Sequence, residues 1–399
     1  MDKLNYRETD HRNLNLNKLN LDVCFGRSHN MIIWQPRILA WFSDKYFLKQ
    51  RFPLPYDGMN EQEVYQSLGC SNRLYNYTGC FRVKDPPGVI RNTEKIDDLT
   101  IKYTVKTPVG SVYSVYHGSL NNWWHTEEKW WIETPEDMKV FMWLFERQEW
   151  EWRQEQYEKA YSEWDDIGAP AMWIPRVNVQ NLYIDTMGVE KGIYAIYEWG
   201  EIINDYFKIL HENHLKLIEI VNKSPVMLVN FGDNVHCSTL SPSLYEKYVL
   251  PAYIDRCEKL HKANKFAYPH WDGNTKSLLK YAQISGFDGI EAITPKPQGD
   301  VTLEEIKEAL GDKIFYLDGI PAILFEKTFS EEELIAATEK VIKYFAPKLV
   351  LGISDEISSH GDIDRIKIVT KIVDDYNANI CKNNEAKGDY YHKTLIKNK

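Results

Sequence analysis

The 399-residue chain is 43% hydrophobic and 27% charged, the balance of a soluble globular protein with room for one large domain or two ordinary ones. Its formal charge of −10 argues against nucleic acid or an anionic membrane surface as a main partner. No window approaches 18 apolar residues and the N-terminal stretch has no apolar signal core, so no membrane span and a cytoplasmic location are expected.

In chain order, residues 1–30 read as an N-terminal extension. The run "NMIIWQPRILAW" (30–41) predicts a first buried strand whose polar end carries Gln35 and Arg37. "LTIKYTVKTPVGSVYSVYHGS" (99–119) alternates apolar and polar residues about a Pro-Val-Gly turn, which predicts an antiparallel hairpin. From Pro135 to about Asp165 the pattern predicts one long helix, so residues 95–165 form an elaboration of the main domain. The aromatic cluster over 121–154 reads chiefly as core.

The C-terminal half repeats short apolar runs: "PAMWIPR" (170–176), "PVMLVNFGDN" (225–234), "FAYPHWDG" (266–273), "GFDGIEAITP" (286–295), "KIFYLDGIP" (313–321) and "KLVLGISDE" (348–356). Their lack of alternation suits parallel strands buried on both faces. Helical patterns lie between them, with Ser-Pro at 241–242, Thr302 with Glu305 and Gly311, and Ser330 with Glu333 as end signals. Strand and helix in alternation predict a parallel α/β architecture. No Gly-rich phosphate loop follows a strand, and nearly every strand ends in polar residues, so a single (β/α)8 TIM barrel is expected over 1–399. Cys24, Cys70, Cys80, Cys237, Cys257 and Cys381 are scattered and read as packed free thiols.

The strand ends gather Gln35, Arg37, Arg176, Asp233, His236, His270, Asp272, Glu291, Asp318, Asp355 and Glu356 on one expected surface. So many carboxylates repel unless protonated, paired with arginine or holding a cation. His270 and Asp272 face one way if the strand stays extended, and a further carboxylate completes a three-residue site suited to zinc or another divalent metal. Trp271 between them points the other way and reads as packing. Glu291, a charge far along an apolar strand, is a candidate active-site carboxylate.

The stretch "GDNVHCSTLSPSLYEKYVLPAYIDRCEKLHKANKFAYPHWDGNTKSLLKYAQISGFDGIEAI" resembles the middle of the uroporphyrinogen decarboxylase superfamily, which includes corrinoid-linked methyltransferases. The likeness covers roughly residues 170–380 and, more faintly, 31–70. In the thiol-directed methyltransferases of that group zinc is held by His-x-Cys and a distal cysteine. The corresponding positions here are His270, Asp272 and about Asp355, with Glu356 beside it, so oxygen donors replace thiolates and the site turns toward polarising an ether oxygen. The decarboxylase branch has an "RQAGR"-type strand and an "LGHG" end, whereas this chain has "WQPR" and "LGISDEI".

The resemblance thus implies a metal-dependent methyltransferase that moves a methyl group between a small, methoxylated substrate and a corrinoid on a partner protein. Zinc would sit on His270, Asp272 and Asp355 or Glu356. Glu291 or Asp233 would serve as proton donor or orienting base, and Arg37 would bind a substrate carboxylate, with Gln35, His236, Arg176 and Asp318 completing the pocket. A homodimer is also implied. Two alternatives stand beside it: a lyase that decarboxylates a small carboxylated substrate, and a non-catalytic binding protein on the same fold.

Overall fold

The computed structural model describes residues 9–73, 76–164, 166–168 and 171–397. Its strands are β1 (Ile33–Trp34), β2 (Phe81–Lys84), β3 (Ile90–Lys95), β4 (Thr100–Thr107), β5 (Gly110–Gly118), β6 (His125–Lys129), β7 (Glu149–Trp152), β8 (Ala171–Ile174), β9 (Leu228–Val235), β10 (Phe266–Trp271), β11 (Gly289–Glu291), β12 (Phe315–Pro321) and β13 (Leu349–Ser354). Each of the seven apolar runs singled out in the sequence becomes a strand of one curled parallel sheet, ordered β1-β13-β12-β11-β10-β9-β8.

Among the described residues the sheet has seven strands where eight were expected. Between its two edges runs Cys70–Arg73, which is not a strand. Ser71 N–H donates to the carbonyl of Trp34 in β1 at 2.9 Å, and Asn72 N–H donates to that of Ile167, just ahead of β8, at 3.1 Å. The Ser71 hydroxyl also donates to Ile167 at 2.9 Å, and Gln35 Nε2 donates to Ser71 Oγ at 3.1 Å. Gln35, expected at the substrate, instead holds this stave in place.

Side chains on the inner face form two layers. At the N-terminal ends of the strands, Ile33, Ala171, Leu228, Phe266, Phe315 and Val350 meet Leu16, Leu19 and Val23 of the helix Leu16–Cys24, so the N-terminal extension plugs that end. Burying each such side chain contributes roughly 1.5–3 kcal/mol. At the opposite ends the inner residues are polar. Outward-facing Val229, Phe231, Ala267, Trp271, Ile290, Tyr316 and Leu351 pack under the surrounding helices. Trp271 stands edge-on to Tyr245 and Phe287, as packing.

Thr302 and Ser330 cap their helices in reciprocal boxes with Glu305 and Glu333, as the spacing predicts. The elaboration departs from expectation in two places. The hairpin is the β4–β5 centre of a four-stranded antiparallel sheet, β3-β4-β5-β6. The single long helix is two, Pro135–Arg147 and Gln154–Trp164, divided by β7, which pairs antiparallel with β2. Glu149–Trp152 reads "EWEW", a period of two that sets Trp150 edge-on to Phe81 and lets its Nε1 donate to Asn213 Oδ1 at 3.0 Å. The six cysteines are free thiols. Among the described residues no helix is long and apolar enough to cross a membrane.

Candidate active site at the C-terminal ends of the strands

The register of β10 and β11 sets His270 directly beside Glu291. His270 Nδ1–H donates to Glu291 Oε2 at 2.8 Å, an oxygen that also accepts from Asn230 Nδ2 of β9 at 2.9 Å. The other oxygen of Glu291 accepts from Arg73 Nη1 at 2.9 Å, and the same nitrogen lies 2.9 Å from Asp318 Oδ1. Asp318 Oδ2 accepts the Ala292 N–H at 3.1 Å. Glu291 and Asp318 are wholly buried and Arg73 nearly so, so each charge needs a partner inside the protein.

Two backbone features hold this packing. Asp318 and Ala292 take positive φ, 89° and 70°, a conformation costly for residues with a Cβ. Gly352 of β13 lies under the ion pair, where a Cβ would stand 2.2 Å from Asp318 Oδ1 and 2.9 Å from the carbonyl of Gln35.

The surroundings fix the protons. Burial opposes ionisation of Glu291, but the His270 hydrogen bond and the charges of Arg37, His270 and Arg73 outweigh it and hold the carboxyl well below its usual range. Burial and Arg37 disfavour a charged imidazole at His270, yet Glu291 and Asp355 prevail and its pKa rises. Asp318 is pushed up to about 7 by burial and by the charge of Glu291, against the pull of Arg73. The cluster therefore pairs an ionised Glu291 with two groups whose hold on a proton is strengthened.

Arg37 stands among the residues expected to bind a metal. Its Nη1 lies 2.9 Å from Asp355 Oδ1 and 3.3 Å from His270 Nδ1, and Nη2 lies 3.4 Å from Glu356 Oε1. Glu356 Oε2 accepts the Ala40 N–H at 2.6 Å, capping the helix Leu39–Phe47. Asp272 lies one residue past the end of β10, its N–H donating to the Val235 carbonyl at 3.1 Å. Among the described residues no three His, Cys, Asp or Glu side chains are arranged to hold a metal ion. Asp355 and Glu356, expected as metal ligands with His270, are instead paired with the Arg37 guanidinium, while His270 Nδ1 is bonded to Glu291.

Asp233 also departs from its expected place. Between Pro269–Phe231 and Trp271–Val235 the β9 register shifts by two residues, with Asn234 at φ 49°, and this irregularity separates Asp233 from the cluster. Its oxygens accept from Val177 N–H at 2.8 Å and Tyr253 OH at 2.6 Å, and burial raises its pKa despite Arg256. Buried Arg256 donates to the carbonyl of Pro175 at 2.9 Å and to a neutral His214 at 2.6 Å. Asp233 and Arg256 thus fix the backbone on both sides of Arg176, which pairs with Asp185 at 2.7 Å. His236 lies half-buried at the rim, its Nε2 3.3 Å from Thr239 Oγ1.

The sequence reading missed Arg73 and Asn230. "GCSNR" carries neither an apolar run nor alternation, so nothing marked it as part of the wall. The available signal was electrostatic: the carboxylates of the strand ends exceeded what Arg37 and Arg176 together neutralise. Asn230, a buried amide inside the apolar run "MLVNFG", was legible as a polar residue in need of a partner.

Residues 185–376 match the family described as uroporphyrinogen decarboxylase (URO-D). Among curated proteins no relative matches. Solved structures similar to the chain include a methyltransferase from Methanosarcina mazei, with 12% identity over 56% of this chain and 63% of that one and a TM-score of 0.46. The chain thus spans less than two thirds of that protein's length. A type I 3-dehydroquinate dehydratase from Clostridium difficile shares 15% identity over 56% of this chain and 74% of its own, with a TM-score of 0.30. The GH18 chitinase ChiB from Flavobacterium johnsoniae shares 11% over 55% and 80%, with a TM-score of 0.33.

Proposed function

Because residues 185–376 carry the uroporphyrinogen decarboxylase pattern, we propose that the chain is an enzyme of that superfamily acting as a methyltransferase on a small anionic substrate. The observation that supports this reading is His270, hydrogen-bonded to buried Glu291 and flanked by Arg37. An anionic group of the substrate pairs with Arg37, displacing Asp355, which is 46% exposed at the rim. His270 Nε2 lies 3.9 Å from Asp355 Oδ1, so the same displacement opens it to the substrate heteroatom that bears the methyl group. As the heteroatom–carbon bond breaks, its electron pair stays on the heteroatom, which takes the Nε2 proton and leaves neutral. Glu291 keeps Nδ1 protonated throughout and fixes the ring. A corrinoid on a partner protein would supply the nucleophile that accepts the methyl group. No step passes through a metal.

Transfer of a labelled methyl group from a panel of methoxybenzoates and methylated amino acids to added cob(I)alamin tests this. Wild type is expected to turn over, and His270→Gln to lose about 10²-fold or more. Equal rates in the two proteins would remove His270 from the chemistry. A carboxy-lyase is the second reading, favoured by Arg37 standing beside groups that retain protons, a set that can hold a carboxylate and protonate the carbanion left by carbon dioxide. Carbon dioxide release without cobalamin would select it. Saturable binding with neither reaction would select a binding protein.

A further inference from the structure

The β3–β6 sheet of the elaboration is covered on one face over only half its length. Along β4, Ile101, Tyr103 and Val105 share that face, opposite Tyr116, Ser114 and Val112 of β5. The helix Pro135–Arg147 covers one end, setting Val140 and Leu144 on Val105 and Val112. Past the helix the same face opens into a cleft of about 480 Å³ lined by Leu99, Ile101, Tyr103, Tyr116, His125 and Trp131. That volume falls within the range of small-molecule sites, roughly 300–1,000 Å³.

The rings form walls rather than a platform. Tyr103 and Tyr116 meet at 85° with centroids 5.4 Å apart, Tyr116 and His125 at 66° and 4.9 Å, and Trp131 stands edge-on to Phe141. Such a slot offers both ring faces and ring edges to a flat guest, the arrangement aromatic pairs prefer. A sugar instead calls for one broad ring face. The Tyr103 hydroxyl and the imidazole of His125, 3.8 Å from Glu127, give the slot polar groups for substituents on the guest. It adjoins the mouth of the parallel sheet: Ile132 N–H, next to Trp131, donates to the carbonyl of Thr186, beside the Asp185 that pairs with Arg176.

We propose that this cleft is a binding site for a planar aromatic ring bearing hydrogen-bonding substituents, separate from the His270 cluster and independent of the reaction assigned to it. The test is calorimetric titration of the full chain with 1,2-dimethoxybenzene, an uncharged probe that Arg37 does not attract, beside its saturated counterpart 1,2-dimethoxycyclohexane and maltose. Saturable binding of the aromatic probe, about tenfold tighter than that of the saturated one, is expected. Tyr103→Ala should weaken it about tenfold and Tyr103→Phe little. Leu99→Trp, which fills the slot without emptying the core, should abolish it even if Tyr103→Ala fails to fold, while Arg37→Gln should leave it unchanged. Equal affinity for both cyclic probes, preference for maltose, no saturable heat at millimolar ligand, or loss confined to Arg37→Gln would each overturn the assignment.

Discussion

Replacing Asp318 with asparagine isolates the electrostatic cost stored in the cluster. In the folded protein this carboxyl keeps its proton to about pH 7, against 3.8 ordinarily. Because the folded state binds the proton more tightly than the unfolded chain, the stabilising contribution is fully present below pH 3.8 and is lost as pH rises to 7. At about 1.4 kcal/mol for each tenfold change in proton affinity, the loss amounts to roughly 4 kcal/mol. Asparagine cannot ionise and escapes this loss, but its amide nitrogen must face Arg73 or the Ala292 N–H. That adds a pH-independent penalty of about 1–3 kcal/mol. Denaturant unfolding of both proteins between pH 4 and 8 separates the two contributions. The stability of wild type relative to Asp318→Asn should fall by about 4 kcal/mol across that range, and the order of the two proteins should reverse between about pH 4.5 and 6. A difference that stays flat with pH would refute the buried, proton-retaining Asp318.

Glu291→Gln removes a carboxylate shared by His270, Arg73 and Asn230 and should cost about 3–5 kcal/mol in chemical unfolding, with the imidazole pKa of His270 falling in an NMR titration. Methyl transfer should fall as pH rises through the elevated pKa of His270, where the acid is lost, and a rate that climbs through that range would count against it as donor. Gly352→Ala should destabilise by about 1–3 kcal/mol and impair turnover, since the new methyl drives Asp318 from Arg73; an unchanged unfolding midpoint would contradict the close approach. Dialysis against EDTA should leave turnover intact, whereas stoichiometric zinc that disappears in His270→Ala would restore the metal reading.

What the sequence made legible were features fixed by local chemistry. Apolar runs without alternation marked the parallel strands, and Thr302–Glu305 and Ser330–Glu333 marked helix starts. His270 and Glu291 were found because each is polar at the end of a buried run, and register alone then made them neighbours. The remainder depended on tertiary geometry. Asp233 shares its strand-end position with Asp318, yet a two-residue shift in β9 separates it from the cluster. Asp272 follows His270 by two, but the strand stops between them. Arg37 was expected to hold substrate beside a metal, and only the fold shows its guanidinium among the proposed ligands. The "EWEW" segment lost its alternation in a long polar stretch that also suited a helix.

The irregular stave Cys70–Arg73 has a consequence for how the molecule breathes. Among the described residues it joins the wall through two backbone hydrogen bonds and side-chain bonds, where the neighbouring strands are tied by ladders. Such a seam should exchange its amide hydrogens at a lower opening free energy than β12 or β13. Each opening carries Arg73 away and leaves Glu291 and Asp318 facing each other without their shared counter-charge. Loosening of the wall therefore weakens, in the same motion, the hold on the Glu291 carboxylate, which His270 and Arg37 continue to maintain.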